Sequence, residues 1–137
     1  VPSPEDNPEL FEFDECHGHD HLIDFASYEL VSASDDVTRG RKQGFFLVDL
    51  QRYCADGAPP TFPIFEGENI GLGISVGWAD IYTSDLDCQW IDITSLPDGP
   101  YTLRFTVNPT GVITEDGPAP NTVTLPVTLR GDTITPR

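Results

Sequence analysis

Two stretches near the end of the chain alternate apolar and polar residues, and this alternation constrains the fold more than any other feature. In "YTLRFTV", residues 101–107, every second residue is aromatic or aliphatic. In "NTVTLPVTL", residues 121–129, valine and leucine alternate with threonine or proline, and Val123, Leu125, Val127 and Leu129 are predicted to face inward. A period of two residues places alternate side chains on the two faces of a β-sheet. Pro126 lacks an amide hydrogen and therefore directs the second stretch towards a sheet edge.

Shorter strand candidates and turn-rich connections make up most of the remaining chain. The strand candidates are "HLIDFASYEL" (21–30), "GFFLVDL" (44–50), "WADIY" (78–82) and "CQWIDIT" (88–94). Residues 55–71 are rich in proline and glycine and predict a long loop. No segment carries a 3.6-residue apolar stripe over three helical turns. The predicted fold class is therefore all-β, a small antiparallel β-sandwich with long loops.

The length of the chain predicts a single domain over residues 1–137. Residues 1–10 contain three prolines and are predicted to form an extended arm. The sequence begins at Val1 without an initiator methionine or a signal peptide, so we expect a processed form or a fragment. No run of about 18 apolar residues occurs, so a membrane span is not expected.

The charge of the chain limits its partners. There are 23 acidic and 7 basic residues, for a formal net charge of -16. Nucleic acid is not expected as a partner, because binding to its phosphates requires cationic side chains. A cationic substrate, by contrast, would be attracted over about 8–10 Å in ordinary salt. The same acidic surface also serves solubility alone, and the composition leaves both interpretations open.

All three histidines of the chain fall within five residues, at His17, His19 and His21. Residues i, i+2 and i+4 of a strand share a face, and Gly18 permits the bend that would bring three imidazoles around one ion. Imidazole nitrogen suits copper, zinc, nickel or iron. Asp20 is a candidate acceptor for a ring N–H. We therefore predict a metal site, with an exposed histidine-rich patch as the alternative.

The chain contains one lysine, Lys42, beside six arginines. A lysine amine can act as a nucleophile, whereas a guanidinium group essentially cannot. The single lysine therefore invites a chemical explanation, although chance use of arginine would give the same composition.

The three cysteines, Cys16, Cys54 and Cys88, allow one disulfide and leave one thiol. They form no CxxC pair, so a zinc ribbon or a thioredoxin-type motif is excluded. A disulfide is typical of exported proteins, and we expect a secreted or extracellular protein.

Three motifs, in this order, resemble the lysyl oxidase family: "CHGHDH" (16–21), "GRKQGFFLVD" (40–49) and "YTSDLDCQWIDIT" (82–94). The similarity continues into "LPDGPYTLRFTVNP" and covers roughly residues 14–110. The "DCQWIDIT" stretch joined to HxHxH is very specific, whereas either motif alone would be weaker. The resemblance implies a copper amine oxidase that carries a lysine tyrosylquinone cofactor.

Carried over residue by residue, the resemblance assigns a role to each part of the site. His17, His19 and His21 fall on the copper ligands, Lys42 on the cofactor lysine and Tyr82 on the cofactor tyrosine. The implied reaction converts primary amines, with peptidyl lysine among the expected substrates, to aldehydes. Molecular oxygen is consumed, and hydrogen peroxide and ammonia are released. Cationic peptides or proteins are accordingly expected partners.

Proton abstraction from the substrate requires a base, and Asp85 and Asp87 are the carboxylates that match acidic positions of the family motif. Hydrogen bonding within their own loop is the alternative role for both. The resemblance also implies a Cys16–Cys54 disulfide and a free Cys88.

The chain departs from the family pattern at several places. Trp78 replaces a family cysteine, and a β segment that precedes the histidines in the family is expected to be missing. A non-catalytic β-sandwich module that binds copper or zinc is therefore the alternative function. A cupin-type dioxygenase is a weak third reading, because no histidine follows His21.

Overall fold

The computed structural model describes residues 2–41, 44–53, 62–66, 72–115 and 121–137. Within these ranges every strand pairing is antiparallel, and a 3-10 helix at Pro8–Leu10 is the only helical element. These ranges hold no helix with the length and apolar character needed to cross a membrane. The predicted all-β antiparallel fold class is confirmed.

The strands of the described ranges are numbered in chain order. They are β1 (Phe11–Asp14), β2 (His19–Leu22), β3 (Ala26–Ser32), β4 (Val37–Arg39), β5 (Gln51–Arg52), β6 (Trp78–Ala79), β7 (Gly99–Val107), β8 (Thr122–Arg130) and β9 (Thr133–Pro136). The chain divides into two compact units. The first comprises Val1–Ile23 and Phe45–Asp87, and the second comprises Asp24–Gly44 and Cys88–Arg137.

A five-stranded sheet in the order β4-β3-β7-β8-β9 forms the second unit. Its apolar core lies on one face of the sheet, where alternate residues of neighbouring strands meet. The buried members are Leu30, Tyr101, Val127 and Leu129, and Ile91, Ile93, Leu96 and Leu103 pack against them. Burying one such side chain contributes about 1.5–3 kcal/mol. The two alternating stretches recognised in the sequence therefore form β7 and β8, and they provide three of the four buried core residues.

The burial along β8 changes halfway. Val127 and Leu129 are buried as the alternation predicts, but Val123 is 66% and Leu125 42% exposed, so the inward position expected for these two is wrong. The pairing between β8 and β9 begins at Val127. Within the described residues, the part of β8 that precedes Val127 pairs with β7 alone. Pro126 thus lies where β8 becomes a sheet edge, as its missing amide hydrogen predicts.

The polar face of the same sheet carries a three-residue ion cluster. Glu29 is buried, and its Oε2 accepts a hydrogen bond from Arg104 Nε at 2.7 Å and forms an ion pair with Arg104 Nη2 at 2.6 Å. The exposed Arg39 approaches the other oxygen, Oε1, with its Nε at 3.3 Å. Two of the seven basic side chains are therefore used to keep one buried carboxylate paired, because an unpaired buried charge is costly.

A two-stranded hairpin of β1 and β2 opens the first unit, with Asp14 opposite His19 in the ladder. The four-residue turn between the strands is closed by a hydrogen bond from Gly18 N to Asp14 O at 2.8 Å. Gly18 has a φ of 74°, a left-handed conformation that glycine adopts without strain. Asp24, with a φ of 52°, separates β2 from β3, so the predicted strand at 21–30 is in fact two strands.

The segment 44–50 is buried as predicted but does not form a strand. Phe45, Leu47 and Asp49 are buried in alternation, whereas Leu50 is 59% exposed. Phe45 makes a single β-bridge with Leu22, Leu47 and Asp49 bond to the loop residues Gly73 and Phe65, and Leu50 bonds to Ala79 of β6. The segment 44–50 is therefore extended and buries every second side chain, although it forms no continuous pairing with another strand. Of the other short candidates, 78–82 retains only β6, and 88–94 contains no strand.

The Asp49 carboxylate is the polar centre of the first unit. It is 6% exposed and accepts hydrogen bonds from the amides of Ile64, Phe65 and Ser75 and from the Ser75 hydroxyl, at 2.7–3.2 Å. Burial acts to raise the pKa of Asp49, but these four donors outweigh it and hold the pKa below its ordinary value. One carboxylate thus joins the 62–66 loop and Ser75 to the buried segment.

We expect Asp49→Asn to lower the free energy of unfolding by about 2–4 kcal/mol at pH 7, because an amide cannot accept from all four donors. The pKa of Asp49 is lower in the fold than in the unfolded chain, where it is about 3.9. The carboxylate therefore stabilises the fold fully above that value and less as the pH falls through it. The difference between wild type and variant should be constant from pH 7 to about pH 5 and shrink below about pH 4.

Urea unfolding followed by tryptophan fluorescence at several pH values measures this difference. Asp20→Asn is the matched control, since Asp20 is exposed on β2, and it should change stability by less than about 0.5 kcal/mol. Equal effects of the two substitutions at pH 7 would contradict the role of Asp49.

Candidate metal centre

The β1–β2 hairpin brings the three predicted metal ligands together. His19 and His21 lie on β2 and share one face, while His17 lies in the turn before it. The expectation that all three lie along one strand is therefore wrong for His17. The turn has the same effect as the predicted bend at Gly18, because it folds the His17 ring back towards the other two.

The three imidazoles form a compact set of nitrogen donors. The ring centroids are 4.9 Å apart for His19 and His21, 5.2 Å for His17 and His21, and 5.9 Å for His17 and His19. One nitrogen from each ring lies within 4.8 Å of the other two, and the Nε2 atoms of His19 and His21 are 3.1 Å apart. Three neutral imidazoles fit copper or zinc and are poor ligands for magnesium or calcium.

Asp14 is a residue of this site that the sequence reasoning missed. Its Oδ2 lies 3.2 Å from Nδ1 of the buried His21, and its Oδ1 lies 3.7 Å from Nδ1 of His17. Asp20, the predicted acceptor, is exposed, and no contact with a histidine ring is found for it within the described ranges. A signal was present in the sequence, because Asp four residues before Gly favours a turn that the aspartate side chain caps.

Asp14 is anchored by the turn itself. Its Oδ1 accepts hydrogen bonds from the amides of Cys16, at 2.8 Å, and His17, at 3.1 Å. Partial burial acts to raise the pKa of Asp14, but these two amides and the neighbouring histidines hold the pKa below its ordinary value. The carboxylate is thus ionised and fixed beside two of the three histidines.

Tyr82, the predicted cofactor tyrosine, is half-buried and held by the segment at Phe45 and Phe46. Its hydroxyl donates a hydrogen bond to the Phe46 carbonyl at 3.0 Å, and its ring meets the Phe45 ring edge-on at 4.9 Å. The Phe46 ring in turn lies 4.6 Å from the His19 ring. One residue, Phe46, therefore contacts both a predicted copper ligand and the predicted cofactor tyrosine.

The two predicted bases lie at the surface. Asp85 and Asp87 are exposed, and a hydrogen bond from the Thr83 hydroxyl holds the pKa of Asp85 below its ordinary value, which weakens it as a base. Asp87 contributes its backbone carbonyl, which lies 3.1 Å from Nε2 of His17. Asp80, two residues before Tyr82, was not predicted, and its Oδ2 is withdrawn from solvent.

The cysteines differ from the prediction. Cys16 and Cys88 are both disulfide-bonded, so the expectation of a free Cys88 is wrong. Asp87, next to Cys88, lies against the ring of His17, next to Cys16, and sequence separation alone could not reveal this proximity. Lys42 and Cys54, the predicted cofactor lysine and the predicted partner of Cys16, lie outside the described residues.

Comparison with known proteins identifies the family. A family model described as lysyl oxidase matches residues 2–136. This match covers nearly the whole sequence, and the chain therefore belongs to the lysyl oxidase family. The resemblance seen in the three sequence motifs is confirmed.

Curated relatives agree with this assignment. Lysyl oxidase homolog 3B of Danio rerio is 41% identical over 103 residues, which are 73% of this chain and 12% of that protein. Lysyl oxidase homolog 3 of Homo sapiens is 38% identical over 104 residues, which are 74% of this chain and 13% of that protein. Protein-lysine 6-oxidase of Sus scrofa is 36% identical over 124 residues, which are 88% of this chain and 48% of that protein. The chain thus spans less than half of each of these relatives.

The donor set predicts that copper(II) or zinc(II) stabilises the metal-free protein. A ligand that binds only the folded state adds about 2.7 kcal/mol at a free concentration 100 times its Kd. Thermal unfolding should therefore shift upwards with either metal, and His17→Ala or His19→Ala should remove most of the shift. Magnesium is the control and should have no effect. An undiminished copper shift in both variants would place the ion elsewhere.

Proposed function

We propose that this chain is a copper-dependent amine oxidase domain. It would convert primary amines, including peptidyl lysine, to aldehydes with release of hydrogen peroxide and ammonia. The observation that carries the proposal is the shared contact at Phe46, whose ring lies against the His19 ring and whose backbone carbonyl accepts a hydrogen bond from the Tyr82 hydroxyl. Membership of the lysyl oxidase family supports the same reaction class.

His17, His19 and His21 would hold the copper ion, and Tyr82 and Lys42 would provide the atoms of a lysine tyrosylquinone. When bound, copper supplies the oxidising chemistry that converts the tyrosine, and the quinone supplies an electrophilic carbonyl to the amine. The assignment of Lys42 rests on the family motif and on its being the only lysine of the chain.

The residues around Tyr82 orient its ring for this role. The hydroxyl proton is held on the Phe46 carbonyl, and the Phe45 ring packs edge-on against the phenol, so two contacts constrain the ring. Phe45 is fixed in turn by the two backbone hydrogen bonds that it exchanges with Leu22. A reacting group held in one orientation loses less entropy at the reaction step.

Three carboxylates close to Tyr82 in sequence are candidates for the base. Asp85 and Asp87 are exposed, whereas one oxygen of Asp80 is withdrawn from water. A base that works away from bulk solvent is less screened, which favours Asp80. Comparison of Asp80→Asn, Asp85→Asn and Asp87→Asn for substrate-dependent reduction of the formed cofactor would identify the base.

Mass spectrometry of copper-incubated protein tests the proposal most directly. After reduction of disulfides, trypsin cleaves after Arg41, Arg52 and Arg104, so a modified Lys42 stays within peptide 42–52 and Tyr82 lies in peptide 53–104. We expect these peptides to remain covalently joined with one added oxygen. An unmodified Lys42 would itself be cleaved by trypsin, so the two outcomes differ clearly.

Two matched variants serve as controls for this experiment. Lys42→Arg keeps the positive charge but lacks a nucleophilic amine, and Tyr82→Phe keeps the ring but lacks the hydroxyl. Both should bind copper, form no cross-link and release no peroxide with an amine. Separate, unmodified peptides from wild-type protein after exposure to copper and oxygen would contradict the oxidase and favour a non-catalytic metal-binding module.

The acidic surface supports a cationic substrate. With a net charge of -16, the protein would attract polylysine over a distance that salt shortens. We expect kcat/KM for a polylysine substrate to fall several-fold between about 0.02 and 0.5 M salt, and that for a small monoamine to fall less. Peroxide release measures both. Equal losses would show that charge steering does not select the substrate.

The disulfide-bonded state of Cys16 and Cys88 supports an extracellular setting for this reaction, since disulfides persist in oxidising compartments.

A further inference from the structure

We infer that Asp14 is a positioning residue of the metal centre, which fixes the tautomer of His21 and directs its Nε2 atom at the ion. The inference rests on the metal-binding part of the proposed function and on no part of the quinone chemistry. Asp14 is neither a metal ligand nor a catalytic residue in this assignment. It acts through the histidine that it contacts.

The two nitrogens of His21 face different partners. Nδ1 lies 3.2 Å from Asp14 Oδ2, whereas Nε2 lies 3.1 Å from Nε2 of His19. A carboxylate oxygen accepts hydrogen bonds, and a neutral imidazole carries a single N–H. The 3.2 Å approach of Asp14 Oδ2 places that N–H on Nδ1 of His21, and the lone pair of Nε2 faces the neighbouring ligand. This arrangement leaves Nε2 of His21 ready for coordination.

The position of Asp14 is itself fixed by the hairpin. Asp14 is the last residue of β1 and lies opposite His19, so its side chain reaches His21 across the diagonal of the ladder. The amides of Cys16 and His17 hold Oδ1, which leaves Oδ2 for the imidazole. The side chain of His21 is 3% exposed and that of Asp14 is 19% exposed, so water competes weakly for this contact.

His17 is affected by the same carboxylate. Its Nδ1 lies 3.7 Å from Asp14 Oδ1, which is too long for a hydrogen bond but close enough for an electrostatic contact. One negative charge thus lies beside two of the three imidazoles that would surround a cation. That charge increases the donor strength of the imidazoles and offsets part of the charge of a bound divalent ion.

The chain offers a matched control at Asp20. This residue has the same side chain, lies between His19 and His21 and is exposed. Asp14→Ser removes the carboxylate while its hydroxyl can still cap the turn, and Asp20→Ser makes the same change at the exposed position. Asp14→Asn is a second variant, which keeps both the turn cap and an uncharged acceptor.

The first measurement is nitrogen-15 NMR of the histidine rings in the metal-free protein at pH 8. Wild type and Asp20→Ser should show His21 protonated on Nδ1. Asp14→Ser should lose this tautomer, and Asp14→Asn should retain it in part. A wild-type His21 protonated on Nε2 would overturn the inference, as would an unchanged His21 tautomer in Asp14→Ser.

The second measurement is copper(II) affinity by competition with a chelator, made in the Lys42→Arg background. Asp14→Ser should bind copper about 10- to 100-fold more weakly, and Asp20→Ser within about twofold of the background protein. The electron paramagnetic resonance spectrum of bound copper should change for Asp14→Ser alone. Equal affinities and spectra for the two serine variants would overturn the inference. Because Lys42→Arg cannot form the quinone, failure of the amine oxidase leaves this result standing.

Discussion

The candidate site depends on the two backbone hydrogen bonds that Leu22 and Phe45 exchange. Leu22 ends the strand that carries His19 and His21, and Phe45 begins the buried segment whose next residue, Phe46, meets both His19 and Tyr82. This bridge, together with the ring contact between His19 and Phe46, holds the histidine hairpin against the segment that also contacts Tyr82. Leu22 and Phe45 are almost fully buried, at 0% and 3% exposure, so water competes little for their amides.

The first unit has little regular structure, and polar side chains there accept backbone hydrogen bonds that strand pairing would otherwise provide. Asp49 gathers three backbone amides and one hydroxyl in a region whose described strands are only two to four residues long. Asp14 does the same for the hairpin turn on a smaller scale. Both carboxylates hold backbone donors that would otherwise be unsatisfied. Irregular backbone of the first unit is thereby held in place, and the second unit has the regular sheet.

Much of the site was predictable because its chemistry depends on residue type and short spacing. The histidine cluster, the resemblance around Tyr82 and the family followed from short motifs, each of which spans only about a dozen residues or fewer. Asp14 was missed because a carboxylate next to the ligands in sequence, Asp20, looked equally suitable. Strand alternation turned Asp20 away from the rings, and the hairpin register brought Asp14 to them. The prediction of a free Cys88 was wrong for a similar reason, since the spacing of cysteines in the sequence does not reveal which distant cysteine each one meets.

The sequence by itself determined the all-β class, the two long strands and a cluster of three imidazoles that could hold a metal ion. These are local properties, set by a two-residue period and by side-chain chemistry. Only the tertiary structure decided that the segment 44–50 stays extended without a ladder, that Val123 remains exposed and that Phe46 joins His19 to Tyr82. Each of these depends on contacts between residues tens of positions apart, which pattern and propensity do not encode.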